Sequence, residues 1–177
     1  MRSTLVLLFV LVLAACDGNT PLMKASADGN REAVKEMLSS DLNVNETNNY
    51  GWTALNHAAR SGDVETARIL LEKGAEISTA DEVGWTPLIR AAQKGHAEMA
   101  KFLISKGADV NAVTDDGWDS LMWATLRGKL ATVKYLVTVD GLNINHLSKD
   151  GRSAILIAIT ENNNDILIVL QDAGAIP

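Results

Sequence analysis

Five glycines punctuate the chain at a nearly constant interval: Gly18, Gly51, Gly84, Gly117 and Gly151, separated by 33, 33, 33 and 34 residues. Each opens a related phrase, reading GNTPL, GWTAL, GWTPL, GWDSL and GRSAI in turn. A period of this length belongs to stacked architectures in which a unit buries its apolar face only against its neighbours. Most closed globular folds, and most enzyme scaffolds, are excluded by that one regularity.

The phrase itself reads as the start of a helix. Thr86 offers a hydroxyl cap, and Pro87 stands at the first helical position, where a missing N–H costs nothing. Thr20-Pro21 repeats the arrangement. Leu88 and Ala91 fall three apart on one face, as do Leu22/Ala25, Leu55/Ala58, Leu121/Ala124 and Ile155/Ala158. Gly29, Gly62, Gly95 and Gly128 then stop these helices, with Asn162 in the fifth unit as the other residue that tolerates a left-handed backbone. A second helix follows, with Met37, Leu70, Leu103, Leu136 and Leu170 at its core position. Lys35, Arg68, Lys101 and Lys134 form a row on its outer side, preceded at three residues by Glu32, Glu65 and Glu98, which predicts solvated i,i+3 pairs. Gly74-Ala75, Gly107-Ala108 and Gly174-Ala175 open the return loops. The 34-residue step is expected from one extra residue in Leu142-Asn143-Ile144-Asn145.

The segment from Asp81 to Val113, DEVGWTPLIRAAQKGHAEMAKFLISKGADVNAV, resembles the ankyrin repeat family over most of its length. Similar units run from Asp17 to the C-terminus. The resemblance implies an all-α solenoid of stacked helix-turn-helix units with short hairpin loops, in five repeats: 17–47, 48–80, 81–113, 114–147 and 148–177. It implies a module that binds another protein through a concave groove.

Chemistry is hard to place on such a chain. The three histidines are far apart, and one cysteine cannot make a disulfide framework. His96 matches the Gly-His turn of the family and reads as a capping or packing residue. His57 is displaced by one place from the family's histidine position, which Asn56 occupies. No nucleophile elbow or phosphate-cradling loop is present, so no enzyme, cofactor, metal or small-molecule substrate is expected. The net charge of −6 argues against nucleic acid.

Trp52, Trp85 and Trp118 each follow a repeat glycine, at equal intervals. In the family this place is variable and leads into the first helix beside the groove. The three are expected as an aromatic row on the partner-binding face, since Trp, Tyr and Arg dominate binding hot spots. Asn19 and Arg152 take the equivalent place at its ends. Tyr50, Arg60, Gln93, Lys94, Asp115, Asp116, Trp123, Arg127 and Arg152 are the residues expected around it. The competing expectation is that each indole covers the next hairpin and is packed away. The last repeat is unusually aliphatic, with Ile168 where other units place Lys or Arg. It is either self-covered or a further contact for a partner or a second copy.

The first residues follow another logic. Arg2 precedes Leu5–Leu13, an apolar run too short to span a bilayer as a helix, and small residues come next. That pattern predicts a secretory leader, 1–15, rather than a buried first helix. Leu13-Ala14-Ala15-Cys16 resembles the lipobox of bacterial lipoproteins, which implies lipidation of Cys16; a plain secreted protein cut near Ala15 is the alternative. Loss of Arg2 leaves 15 basic and 22 acidic residues, a net charge of −7. Asp17, next to the cysteine, resembles an inner-membrane retention signal, with the outer membrane or the free periplasm as alternatives. Together these imply a membrane-anchored periplasmic adaptor that captures or supports a partner protein. The alternative function is an immunity protein that occludes a toxin delivered to the periplasm.

Overall fold

The computed structural model describes residues 17–177; the expected leader and Cys16 lie outside the described residues. Among the described residues, ten helices form five pairs. The pairs are α1 (Pro21–Ala27) with α2 (Arg31–Met37), α3 (Ala54–Ser61) with α4 (Val64–Glu72), α5 (Pro87–Lys94) with α6 (Ala97–Ser105), α7 (Ser120–Leu126) with α8 (Leu130–Leu136), and α9 (Ala154–Thr160) with α10 (Asn164–Asp172). The odd-numbered helices stack on one another as an inner layer and the even-numbered ones as an outer layer. No strand occurs among the described residues, and none of their helices is long and apolar enough to cross a membrane.

The helix starts follow from their caps. Thr20, Thr53, Thr86, Asp119 and Ser153 each accept from the backbone N–H three residues on. In the second unit Asn56 completes a reciprocal box with Thr53: the Thr53 N–H and hydroxyl both donate to Asn56 Oδ1, at 3.0 and 2.7 Å. All five expected stops have left-handed backbone, from φ 55° at Asn162 to 86° at Gly95.

Burial matches the apolar pattern. The five Leu/Ile–Ala pairs of the inner helices are all buried, and Leu70, Leu103, Leu136 and Leu170 are each 0% exposed. Small alanines let the helices approach closely, so the buried leucines fill the space between layers; truncating one costs about 2–5 kcal/mol. Met37, at the equivalent place in the first repeat, is only half-buried, while Val34 and Leu38 fill that end of the core. On the outer layer Glu32–Lys35 and Glu65–Arg68 pair at 3.3 and 3.4 Å. The expected Glu98–Lys101 pair does not form.

Two ladders join the units. Along the hairpins the N–H of Asn49, Glu82, Asp115 and Lys149 donates to the carbonyl of Asp17, Tyr50, Val83 and Asp116, at 3.2, 3.2, 3.1 and 3.0 Å. All five glycines of the beat have left-handed backbone, with φ from 71° to 82°, and at Gly84 a Cβ would also stand 2.8 Å from Asp115 N and 2.9 Å from Thr114 Cα. Along the return loops asparagines reach into the next unit. Asn45 Nδ2 donates to the Gly74 carbonyl and its Oδ1 accepts from Glu76 N–H, at 3.0 and 2.8 Å. Asn111 does the same with Gly141 and Asn143, both at 2.8 Å, and Asn145 accepts from Ile176 N–H at 2.9 Å. Ser78 holds the corresponding place in the second unit and forms no such rung.

These rungs correct the position of the insertion. Gly141 to Asn145 has the same span as Gly107 to Asn111, so the Leu142–Asn145 stretch is of normal length. The extra residue lies before it, between Leu136 and Gly141, where Val139 N–H turns back to the Leu136 carbonyl at 3.0 Å.

Candidate partner-binding face

Each tryptophan lies just before the helix cap, at the position that in a hydrophobic staple packs on the fourth helical residue. Those fourth residues are His57, Arg90 and Trp123, five places after Trp52, Trp85 and Trp118. Every one contacts its own tryptophan: Trp52 and His57 ring centres are 5.0 Å apart, Arg90 lies 4.1 Å above Trp85, and Trp118 and Trp123 are 5.0 Å apart. Each also reaches back one repeat. Arg90 covers Trp52 at 4.2 Å, Trp123 meets Trp85 at 4.5 Å, and His57 Nε2 donates to Asn19 Oδ1 at 3.1 Å. The result is one alternating file: Asn19, His57, Trp52, Arg90, Trp85, Trp123, Trp118.

Of the two expectations for the three indoles, an exposed row and rings packed away, neither holds throughout. Trp118 is buried, and Trp52 and Trp85 are half-buried. Trp118 is covered because its partner at the fourth helical place is a second indole, Trp123, itself half-buried. Offset and tilted aromatic pairs of this kind contribute about 0.5–1.5 kcal/mol beyond their buried area, so much of the file is structural packing. What it exposes is its charged edge. Arg60 lies 5.6 Å from Trp52, Arg127 6.0 Å from Trp123, and Arg152 5.8 Å from Trp118, and all three arginines are exposed.

The centre of the file is an ion pair. Asp81 is buried; its Oδ1 accepts from Val83 and Trp85 N–H at 3.1 and 2.9 Å, and its Oδ2 receives Arg90 Nη2. One carboxylate thus closes the hairpin turn and sets the guanidinium between two indoles. Burial pulls the Arg90 guanidinium below its ordinary value, against the opposing pull of Asp81. Burial, helped by the nearby Arg60 charge, pushes His57 down to about 4, so this imidazole is neutral at pH 7. The indole N–H of Trp123 and the Nε–H of Arg90 find no acceptor among the described residues.

The other expected residues divide between two zones. Tyr50, Asp115 and Asp116 sit exposed on the hairpins, Tyr50 at 57%. Gln93, Lys94 and Arg127 gather at the far ends of α5 and α7, where with Lys129 they line a shallow depression of about 330 Å³. Arg152 pairs with Asp150 at 2.9 Å. His96 is a packing residue, as expected: its ring lies over Gly62, and its Nε2 donates to the Arg60 carbonyl at 3.0 Å. His57 and Arg90 were not among the expected residues, although the five-residue spacing from each tryptophan would have marked them. In the last repeat Ile168, Ile159 and Ile176 are 56, 45 and 65% exposed, so that end is not covered by the chain's own described residues. No group of three metal-ligating side chains occurs among the described residues.

A family model described as ankyrin repeats in three copies matches residues 3–81, 78–148 and 110–177. The first of these spans begins inside the segment read as a leader. A search of the curated proteins returned no matching relative.

Proposed function

Since the chain belongs to the ankyrin repeat family, whose members generally act as protein–protein interaction modules, we propose that it is a membrane-anchored periplasmic adaptor. It captures or supports a partner protein on the face formed by the hairpins and the inner helices. The observation that carries this reading is the file from Asn19 to Trp118, preset by Asp81 and edged by exposed Arg60, Arg127 and Arg152. A rigid face of this kind is ordered before a partner arrives, which lowers the cost of association.

Anchoring rests on the sequence, through the leader 1–15 and the lipobox ending in Cys16. The Asp17 carbonyl accepts from Asn49 N–H in the second repeat at 3.2 Å. A lipid on Cys16 would therefore sit one residue from the folded solenoid, holding it at the bilayer surface. Mass spectrometry of the mature N-terminus tests this; an unmodified Cys16 thiol, or a retained leader, would sink it. Membrane fractionation tests the inner-membrane assignment, which recovery in the outer membrane overturns.

A photo-crosslinking residue introduced at Gln93, on the inner face, should capture the native partner from intact membranes, and one at Lys101, on the outer layer, should not. Capture at Lys101 alone would overturn the choice of face. If the captured protein is a toxin and expression of this chain rescues the cell from it, the role is immunity rather than adaptor.

A further inference from the structure

The chain is acidic overall, yet its inner helices carry no aspartate or glutamate. Their charges are Lys24, Arg60, Arg90 and Lys94; directly after them come Asp28 at α1, Arg127 at α7 and Glu161 at α9, so the positive run belongs to the three middle repeats. Arg90 is paired with Asp81. Arg60, Lys94 and Arg127 are exposed, and neither they nor Lys129 have a carboxylate within ion-pair distance among the described residues. Two adjacent depressions hold them. One, of about 360 Å³, contains His57, Arg60 and Lys94; the other contains Lys94, Arg127 and Lys129. Lys94 belongs to both, so the positive surface runs continuously across three repeats.

Helix dipoles account for part of this. Arg60 and Lys94 stand in last turns, where a cation is favoured. Lys129 does not fit that explanation: it is the N-cap of α8, makes no capping bond, and places its charge at the wrong end of the dipole. Nor do dipoles explain the absence of counter-charges. The outer layer is mixed, since Lys35 and Arg68 each have a glutamate while exposed Lys101 and Lys134 have no ion pair among the described residues. The inner cations gather around two adjoining depressions.

We propose that this strip docks an acidic polypeptide segment of the partner, its Asp and Glu side chains meeting Arg60, Lys94, Arg127 and Lys129. The proposal deepens the binding-face reading above and rests on it. A polypeptide fits better than a polyanion of uniform charge because the hairpin side of the same face carries exposed Glu82, Asp115, Asp116 and Asp150. A nucleic-acid backbone or a flat anionic bilayer would bring its negative charge against those carboxylates as well. A peptide can set acids on the strip and neutral or basic groups at the hairpins.

The test uses the full-length protein in neutral detergent and a fluorescein-labelled poly-glutamate peptide, read by anisotropy. Binding is expected at low ionic strength and should weaken steeply as salt rises to about 0.5 M. The variant R60E/K94E/R127E should weaken it roughly tenfold or more. K35E/K101E/K134E makes the same charge change on the outer layer and should leave binding within about twofold. Circular dichroism checks the fold, and the milder K94Q/R127Q stands in should the reversal variant unfold. No peptide binding, or equal weakening by both triple variants, overturns acidic docking. Tighter binding of a single-stranded oligonucleotide or of anionic vesicles overturns the assignment to polypeptide. The Gln93 crosslink to the native partner reports on the face itself, so the two failures are distinguishable.

Discussion

The carboxylate of Asp81 holds the guanidinium of Arg90, nine residues later, in a slot between Trp52 and Trp85. Arg90 thereby crosses the junction of two repeats, because Trp52 belongs to one and Asp81, Trp85 and Arg90 to the next. Removing one partner strands the other: R90M leaves the Asp81 charge, 2% exposed, without its cation. We expect R90M to destabilise the protein by about 2–4 kcal/mol in urea unfolding. D81N/R90M should recover part of that loss, and a double-mutant cycle in which the two changes simply add would refute the coupling.

Acid should weaken the fold through His57. Its folded value is about 4, below the ordinary 6.5. Between these values the unfolded chain binds a proton that the folded chain does not. Stability from this group is complete above pH 6.5, declines as pH falls toward 4, and then levels off. The loss is on the order of 1–2 kcal/mol, discounted for partial solvent access. H57Q should flatten this segment of the stability–pH curve, and an unchanged slope in H57Q would assign it elsewhere.

The cap of α7 behaves in the opposite sense. Burial raises the Asp119 carboxyl above its ordinary range, despite its bond from Met122 N–H at 2.8 Å. Stability from Asp119 is fully present below the unfolded value and is lost as pH rises through the folded one. Thr53 and Thr86 serve the same cap elsewhere without a charge. D119T should therefore stabilise the protein at pH 7 by about 0.5–2 kcal/mol, and calorimetry at pH 7 and pH 4 should show the gain shrinking in acid.

Two glycines with the same backbone sign should respond differently. Gly84 and Gly107 have φ of 82° and 95°. A Cβ on Gly84 would strike the Thr114–Asp115 backbone at the inter-repeat rung, whereas one on Gly107 meets nothing within 4 Å. G107A should cost about 1 kcal/mol, from left-handed strain alone. G84A should cost more, roughly 2–3 kcal/mol, measured as the difference in urea midpoint. Equal losses would mean that the close approach is not felt.

The architecture was legible because every signal that sets it lies within one period: cap, alanine pair, terminating glycine and buried leucine recur together. The binding face was only half legible. Equal spacing placed the tryptophans in one register, but their exposure depends on the residue five places later and on the preceding repeat. Trp118 is buried because Trp123 is large, while Arg90 leaves Trp52 and Trp85 half-open. Neither fact is visible from the tryptophan position alone. The inserted residue was misplaced for a related reason: it is the inter-repeat bond from Asn111 to Gly141 that fixes where the loop begins.

The missing rung at Ser78 falls at the junction that Arg90 bridges. There the outer helices α4 and α6 are also the least closely packed neighbours in their layer, joined by Arg68 lying 4.9 Å above the Phe102 ring. Repeats two and three are thus bound firmly along the inner edge and loosely along the return loops. On the inner edge Arg90, seated between Trp52 and Trp85, takes the place of the absent asparagine rung in joining these two repeats. The repeats are therefore not joined by copies of one bond: an asparagine rung serves three junctions, and a clasped guanidinium serves the remaining one.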